Sequence, residues 1–260
     1  MRKAIVFVPT PSNWQEKMKA AAAPKKGLPK SLAVWGVGPN GRVYLWTGVN
    51  WSEPNPAARA SQISAGSQGG AWGIGDNGRI FLTTDGITWS EPNPAASASQ
   101  ISGNSYASWA IGNEYRIFSS INGGVSWFEP NPQQRLKRIS AGNWDNVWGI
   151  TSDGHILKYD IYAYPSKWDE PNPQARLNQI SAMAVNGAWG IGNSNRIFVT
   201  VDGITWSEPN PAASASQISG SDDLYAWGIG NSNRVFKTTD RGASWSEPNT
   251  QARLKQVSVQ

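Results

Sequence analysis

Five arginines return at matched places along the chain. Arg42, Arg79, Arg116, Arg196 and Arg234 each follow a short turn that holds asparagine, with Asn40, Asn77, Asn113, Asn195 and Asn233 one to three residues earlier. A guanidinium is a planar, permanently charged fork of donors and a carboxamide both donates and accepts, so the two together suit sugar hydroxyls. A tryptophan keeps step with them at Trp35, Trp72, Trp109, Trp189 and Trp227, each in a Trp-Gly or Trp-Ala step. Its indole offers a flat apolar face, and neighbouring glycines such as Gly73 and Gly75 leave room for a methyl group. These residues form the candidate glycan-binding set. They have a structural use as well: Arg79 can pair with Glu91 of the adjacent strand, and the tryptophans can fill a core.

Catalytic chemistry is poorly supplied by comparison. Glu53, Glu91, Glu129, Glu170, Glu208 and Glu247 occupy one equivalent place each, whereas glycoside hydrolysis needs two carboxyl groups held in different environments. A single histidine, His155, and the absence of cysteine leave no material for a nucleophilic triad, a thiolate zinc site or a disulfide framework. The expectation is a protein that is not an enzyme and takes no cofactor or metal.

The elements that must position these residues are written as a repeat. A tryptophan precedes the Glu-Pro step at Trp51, Trp89, Trp127, Trp168, Trp206 and Trp245, at intervals of 38 to 41 residues. The second tryptophan, at Trp35, Trp72, Trp109, Trp148, Trp189 and Trp227, follows the same period and defines the same six units. Sixteen residues, ITWSEPNPAASASQIS, occur identically at Ile87 and at Ile204. A period in this range signals a repeat architecture rather than separate domains. The chain therefore divides into an arm, residues 1–30, and one repeat domain, residues 31–260.

Charge separates the two parts. The 260 residues carry a formal net charge of +5, but Arg2, Lys3, Lys17, Lys19, Lys25, Lys26 and Lys30 lie in the arm against Glu16 alone. The repeats are left close to neutral, so they lack the basic stripe that nucleic-acid binding needs. No apolar run has the length of a membrane helix, and Ala4 to Val8 is short for the apolar region of a signal peptide. A cytoplasmic or unconventionally released protein is expected. The same run, AIVFV, reads as a strand the repeats do not need, and pairing it with its copies is a route to a homo-oligomer.

Within a unit, QISAG, AWGIG, RIFLTT and ITWSE are short, β-branched or aromatic, and separated by Gly, Asn and Asp clusters. That is the pattern of four strands, here a to d, joined by tight turns. Proline in EPNP stops the pairing after d. Six such units make a six-bladed β-propeller of four-stranded antiparallel blades. The termini are complementary: the chain ends with an a-type strand and its first unit begins at b, so the last strand completes the first blade. In this arrangement the b to c turns and the d to a seams share one face.

The stretches NGRVYLWTGVNWSEPNPAARASQISAG, RLKRISAGNWDNVWGITSDGHILKY and ARLNQIS resemble tectonin repeats. The resemblance implies a β-propeller lectin, of a kind associated in fungi with O-methylated glycans and innate defence. The turns TTDGITW, TVDGITW and TTDRGASW are similar to the Asp-box of sialidases, a structural turn that carries no catalysis. The function expected is multivalent binding of surface glycans, with a protein-protein scaffold as the alternative. Unit four breaks the pattern, with His155 in place of arginine and KYDIYAYPSKW in place of the Asp-box turn, so its site is expected to be altered or lost.

Overall fold

The computed structural model describes residues 33–66, 69–103, 107–184 and 186–260. The arm and its Ala4 to Val8 run lie outside the described residues.

Each unit becomes one small antiparallel sheet in which strand b is central. Strand b is buried along its whole length in every unit, as in Val34–Val37, Ala71–Ile74 and Val147–Ile150. A strand covered on both faces has no polar side to alternate with, which is why it reads VWGV or AWGI. Strands a and c flank it, with Gln62–Ala65 and Ile80–Thr83 on either side of Ala71–Ile74. The first sheet is assembled from both ends of the chain: Gln256–Val259 pairs antiparallel with Val34–Val37, setting Val34 opposite Val259.

The fourth strand is weaker than the sequence pattern suggests. Only the first and fourth units have a d strand, Trp51–Ser52 and Lys167–Asp169. In the other four, d is a single bridge, Leu82 to Ser90, Ser119 to Phe128, Val199 to Ser207 and Lys237 to Ser246. The cause is local: the Asp-box turn coils the chain up to the tryptophan, and proline follows the glutamate just beyond, leaving room for one pair.

The QIS motif explains how successive sheets are joined. The Gln62 carboxamide lies against the next a strand, donating to the Ile101 carbonyl at 2.9 Å and accepting from the Ile101 N–H at 2.8 Å. Gln100 does the same to Ile139, Gln179 to Ile218, Gln217 to Val257, and Gln256 to Ile63. The serine two residues on accepts a second N–H: Ser102 from Ala141, Ser140 from Ala182, Ser181 from Gly220, Ser219 from Val259 and Ser258 from Ala65. Side chains thus pair the backbone groups that strand a would otherwise bury unsatisfied. Arg138 stands in the glutamine position of unit four.

The two tryptophan series meet between sheets. Trp35 packs edge-on against Trp89, Trp72 against Trp127, Trp109 against Trp168, Trp148 against Trp206, Trp189 against Trp245 and Trp227 against Trp51, with centroids 5.8 to 6.4 Å apart. Such T-shaped pairs contribute about 0.5–1.5 kcal/mol each beyond the area they bury. The glycine after the b tryptophan makes room for this: a Cβ on Gly73 would lie 3.2 Å from the Trp89 ring.

The Asp-box turns lock the same junctions from outside. Asp202 accepts from the Ile204 and Thr205 N–H groups at 2.8 Å, and Thr200 accepts from the Gly203 N–H. Gly203 has φ +80°, and a Cβ there would stand 2.7 Å from Trp148. The backbone bonds, led by the one from Thr205, lower the Asp202 pKa to about 2; Asp85 is depressed by the Ile87 and Thr88 N–H groups and Asp240 by the Ser244 hydroxyl and N–H. A carboxylate more acidic in the folded state stabilises fully above its unfolded pKa and loses that contribution as pH falls through the folded value. Unit three has asparagine here, Asn122, which still accepts the Ser126 N–H at 3.0 Å. Changing Asp85, Asp202 and Asp240 together to Asn is therefore expected to leave a folded protein whose melting temperature falls less between pH 4 and pH 2 than that of the wild type, measured by thermal scans across that window.

Candidate functional site

The five arginines occupy equivalent places, and each is held by the glutamate of its own unit. Arg42, Arg79, Arg116, Arg196 and Arg234 pair with Glu53, Glu91, Glu129, Glu208 and Glu247. Arg79 Nε donates to Glu91 Oε1 at 2.6 Å while Nη2 donates to Oε2, a two-point fork, and Arg116 and Arg234 repeat it. Hydrogen bonding from Arg79 and from Arg234 holds the Glu91 and Glu247 carboxyls below the usual range. The pairs are lopsided in depth. The glutamate side chains are 5% to 18% exposed and the arginines 31% to 54%.

A third member was missed in the sequence. Phe81, Phe118, Phe198 and Phe236 lie under the guanidinium groups of Arg79, Arg116, Arg196 and Arg234, 5.2 to 5.7 Å from ring centroid to Cζ. Residues two apart on a strand share a face, so the Arg-Ile-Phe and Arg-Val-Phe steps carried the signal. Stacked below and held at the side, each guanidinium is fixed in orientation while its side chain stays partly exposed.

The asparagines do not form an equivalent set. Asn40 and Asn77 take the second place of the turn, Asn113 the first, and Asn195 and Asn233 the third, next to the arginine. Asn77, Asn195 and Asn233 have positive φ, from 60° to 63°, so they serve the turn itself; in unit three Glu114 and Tyr115 take those left-handed conformations. Asn40 accepts from the Arg42 N–H at 3.2 Å.

The tryptophans sit elsewhere than a ligand platform requires. Trp35, Trp72, Trp109 and Trp189 are at most 1% exposed and Trp227 is 7% exposed, with their rings packed in the junctions between sheets. The spaces beside Gly73 and Gly75 are filled by Trp89 and Phe81. The methyl-sized hollows expected there are closed, because the glycines make room for the chain's own aromatic rings.

Unit four differs as its sequence does. His155 Nδ1 meets Glu170, and Nε2 lies 2.8 Å from Arg176 Nη2 and 3.3 Å from Asp153 Oδ2. Arg176 belongs to a second series with Arg59, Arg135 and Arg253, each of which returns to two carbonyls of its own seam. All six repeated glutamates are thus engaged, and among the described residues no cluster of three or more metal-ligating side chains occurs. Nor is any helix among the described residues long and apolar enough to cross a membrane.

The tectonin domain family matches residues 59–260. The chain belongs to the tectonin family. No curated protein matches its sequence. Solved structures similar to this tectonin share its fold at low identity. YCF48 bound to a D1 peptide is 17% identical with a TM-score of 0.52, covering 83% of this chain and 78% of that one. YCF48 from Cyanidioschyzon merolae is 17% identical with a TM-score of 0.52, covering 85% and 83%. A GH74 xyloglucanase from Xanthomonas campestris is 13% identical with a TM-score of 0.53, covering 85% of this chain and 39% of its own.

In this tectonin the deepest fork gives a direct test of structural weight. Glu129 has a side chain 5% exposed, so removing Arg116 strands a carboxylate that water barely reaches. The Arg116→Ala change is expected to cost about 2 kcal/mol, and the Arg116→Ala, Glu129→Gln pair less than that. Urea unfolding of the two variants measures the difference.

Proposed function

We propose that this tectonin is a multivalent, non-enzymatic lectin, a closed six-bladed β-propeller whose blades are the six sheets and whose sites are the five repeated arginines. The carrying observation is that a glutamate holds a partly exposed arginine at the same place in five units, with phenylalanine stacked under it in four of them. The fork uses two or three of the five guanidinium N–H donors. The outward donors are immobilised before any ligand arrives, so binding a sugar hydroxyl orders little that is still free. Family membership supports the same reading.

Each site is shallow and weak alone. Useful strength comes from engaging several sites on one repetitive glycan surface, where linkage raises apparent affinity by roughly 10² to 10⁴. The likeness to a peptide-bound YCF48 is a likeness of fold, but it keeps a second reading, a protein-binding scaffold, in the test.

The experiment is a glycan array carrying O-methylated and unmethylated sugars, followed by titration of the best ligand. Arg79→Lys with Arg196→Lys removes two forks while keeping their charge. The expected result is glycan binding whose stoichiometry falls by two sites in the double variant, with the melting temperature lowered by only a few degrees. A blank array, or unchanged stoichiometry in the double variant, would overturn the assignment.

A further inference from the structure

Unit four carries a groove of its own on the face of the b to c turns. Its volume is about 260 Å³, and it is lined by Lys137, Ser152, Asp153, Arg176, Asn178 and Asn193 among others. It lies beside the departure already described: where four other units lay an arginine over phenylalanine, this one has the shorter His155, and the residue two further on is Leu157. Arg176, instead of stopping at its own seam, reaches across to the imidazole at 2.8 Å.

The imidazole is held on both sides, Nδ1 against Glu170 and Nε2 against Arg176 and Asp153. Glu170 is thereby engaged behind the ring. At the rim, Lys137 makes no ion pair among the described residues; its backbone N–H alone is used, bonded to the Ile150 carbonyl at 2.7 Å. Asn178 spends its amide N–H on the Gly192 carbonyl at 3.1 Å, which leaves its oxygen as an acceptor. The Asn193 side chain has no hydrogen bond among the described residues. Asp153 stays ionised, because the Thr151 hydroxyl that donates to it holds its pKa below the ordinary value.

We propose that this groove is a separate binding site for a sugar acid, a pyranose bearing one carboxylate, seated with its carboxylate between Lys137 and Arg176 and its hydroxyls on Asn178, Asn193 and Asp153. Lys137, which has no ion pair among the described residues, calls for an anion that Arg176 can share beyond its 4.0 Å approach to Glu170, and the amides and the Asp153 carboxylate call for hydroxyl groups on the same small molecule. A simple anion leaves the second set unused, and a neutral sugar leaves Lys137 without a partner. The corresponding seam position is Ser61 in unit two, Ser99 in unit three, Asn178 in unit five and Ser216 in unit six, so those units lack the lysine; the strand that completes the first sheet is preceded by Lys255, but that unit has Arg42 in place of His155. The site does not depend on the five arginine forks.

The test is titration of the full chain with methyl β-D-glucuronide and with methyl β-D-glucoside, followed by calorimetry or ligand-observed NMR. The expected result is roughly tenfold tighter binding of the glucuronide, the scale of a charge-assisted hydrogen bond. Lys137→Glu, at an exposed position, is expected to abolish that preference with the fold intact by circular dichroism, and Asn193→Ala to weaken both ligands. The double variant Arg79→Lys, Arg196→Lys is expected to leave the preference unchanged, which separates this site from the repeated ones. Equal binding of the two glycosides, no binding of either, or a glucuronide preference that survives Lys137→Glu would overturn the proposal.

Discussion

Replacing Trp72 with alanine is expected to destabilise the protein by about 3–5 kcal/mol, the range for a large aromatic removed from a core. In a domain of this size that lowers the melting temperature by roughly 10 °C. The ring is fully buried, meets Trp127 edge-on with centroids 6.2 Å apart, and lies beneath Gly124 of the next unit's turn. Its loss opens a cavity between two sheets and weakens the contact that holds them, while the exposed arginines keep their surroundings. Trp72→Phe, which keeps an aromatic ring in the junction, is expected to cost clearly less. Thermal and urea unfolding beside a binding assay decide the matter. A variant that unfolded like the wild type but lost glycan binding would return Trp72 to the ligand site.

The period, strands a to c and the complementary ends were legible, because each follows from chemistry that the sequence writes locally in short apolar runs, turn residues and proline; the fourth strand was over-read, since it forms a strand in only two of the six units among the described residues. What the tryptophans do was not. A Trp-Gly step is the same string whether the glycine makes room for a ligand's methyl group or for another ring, and only the fold brings Trp89 of one part of the chain over Gly73. The arginines were ambiguous for a related reason. Arg79 was read as either sugar-binding or paired with Glu91; the fold pairs it and leaves it half exposed, so the two roles are compatible. The asparagines looked alike in sequence because their distance from the arginine was allowed to vary by two residues, and in a tight turn each residue points a different way. Phe81 and its equivalents were readable from strand alternation and were passed over because they are apolar.

Truncating the chain after Leu254 is expected to have an effect larger than its length suggests. The residues removed include the strand Gln256–Val259, whose Val257 and Val259 are buried and whose backbone pairs with Val34–Val37. The same strand gives the Gln256 carboxamide to Ile63 and the Ser258 hydroxyl to the Ala65 N–H, and its own N–H groups are taken by Gln217 and Ser219. Without it the first sheet has an open apolar edge, and the a strands of units two and six each lose a neighbour. Exposed edges of that kind template aggregation, so the expected result is loss of the cooperative unfolding transition and of the monodisperse peak in gel filtration. A rearranged chain separates this cause from mere shortening. Because Val259 lies opposite Val34, residues 255–260 can be placed between the arm and Ala33 with a short glycine-rich turn, making the pair an ordinary hairpin. If strand pairing is what the terminus supplies, this permuted protein should melt within a few degrees of the wild type. A truncated chain that still unfolds cooperatively, or a permuted chain that does not fold, would show that the terminal strand acts through something other than its place in the first sheet.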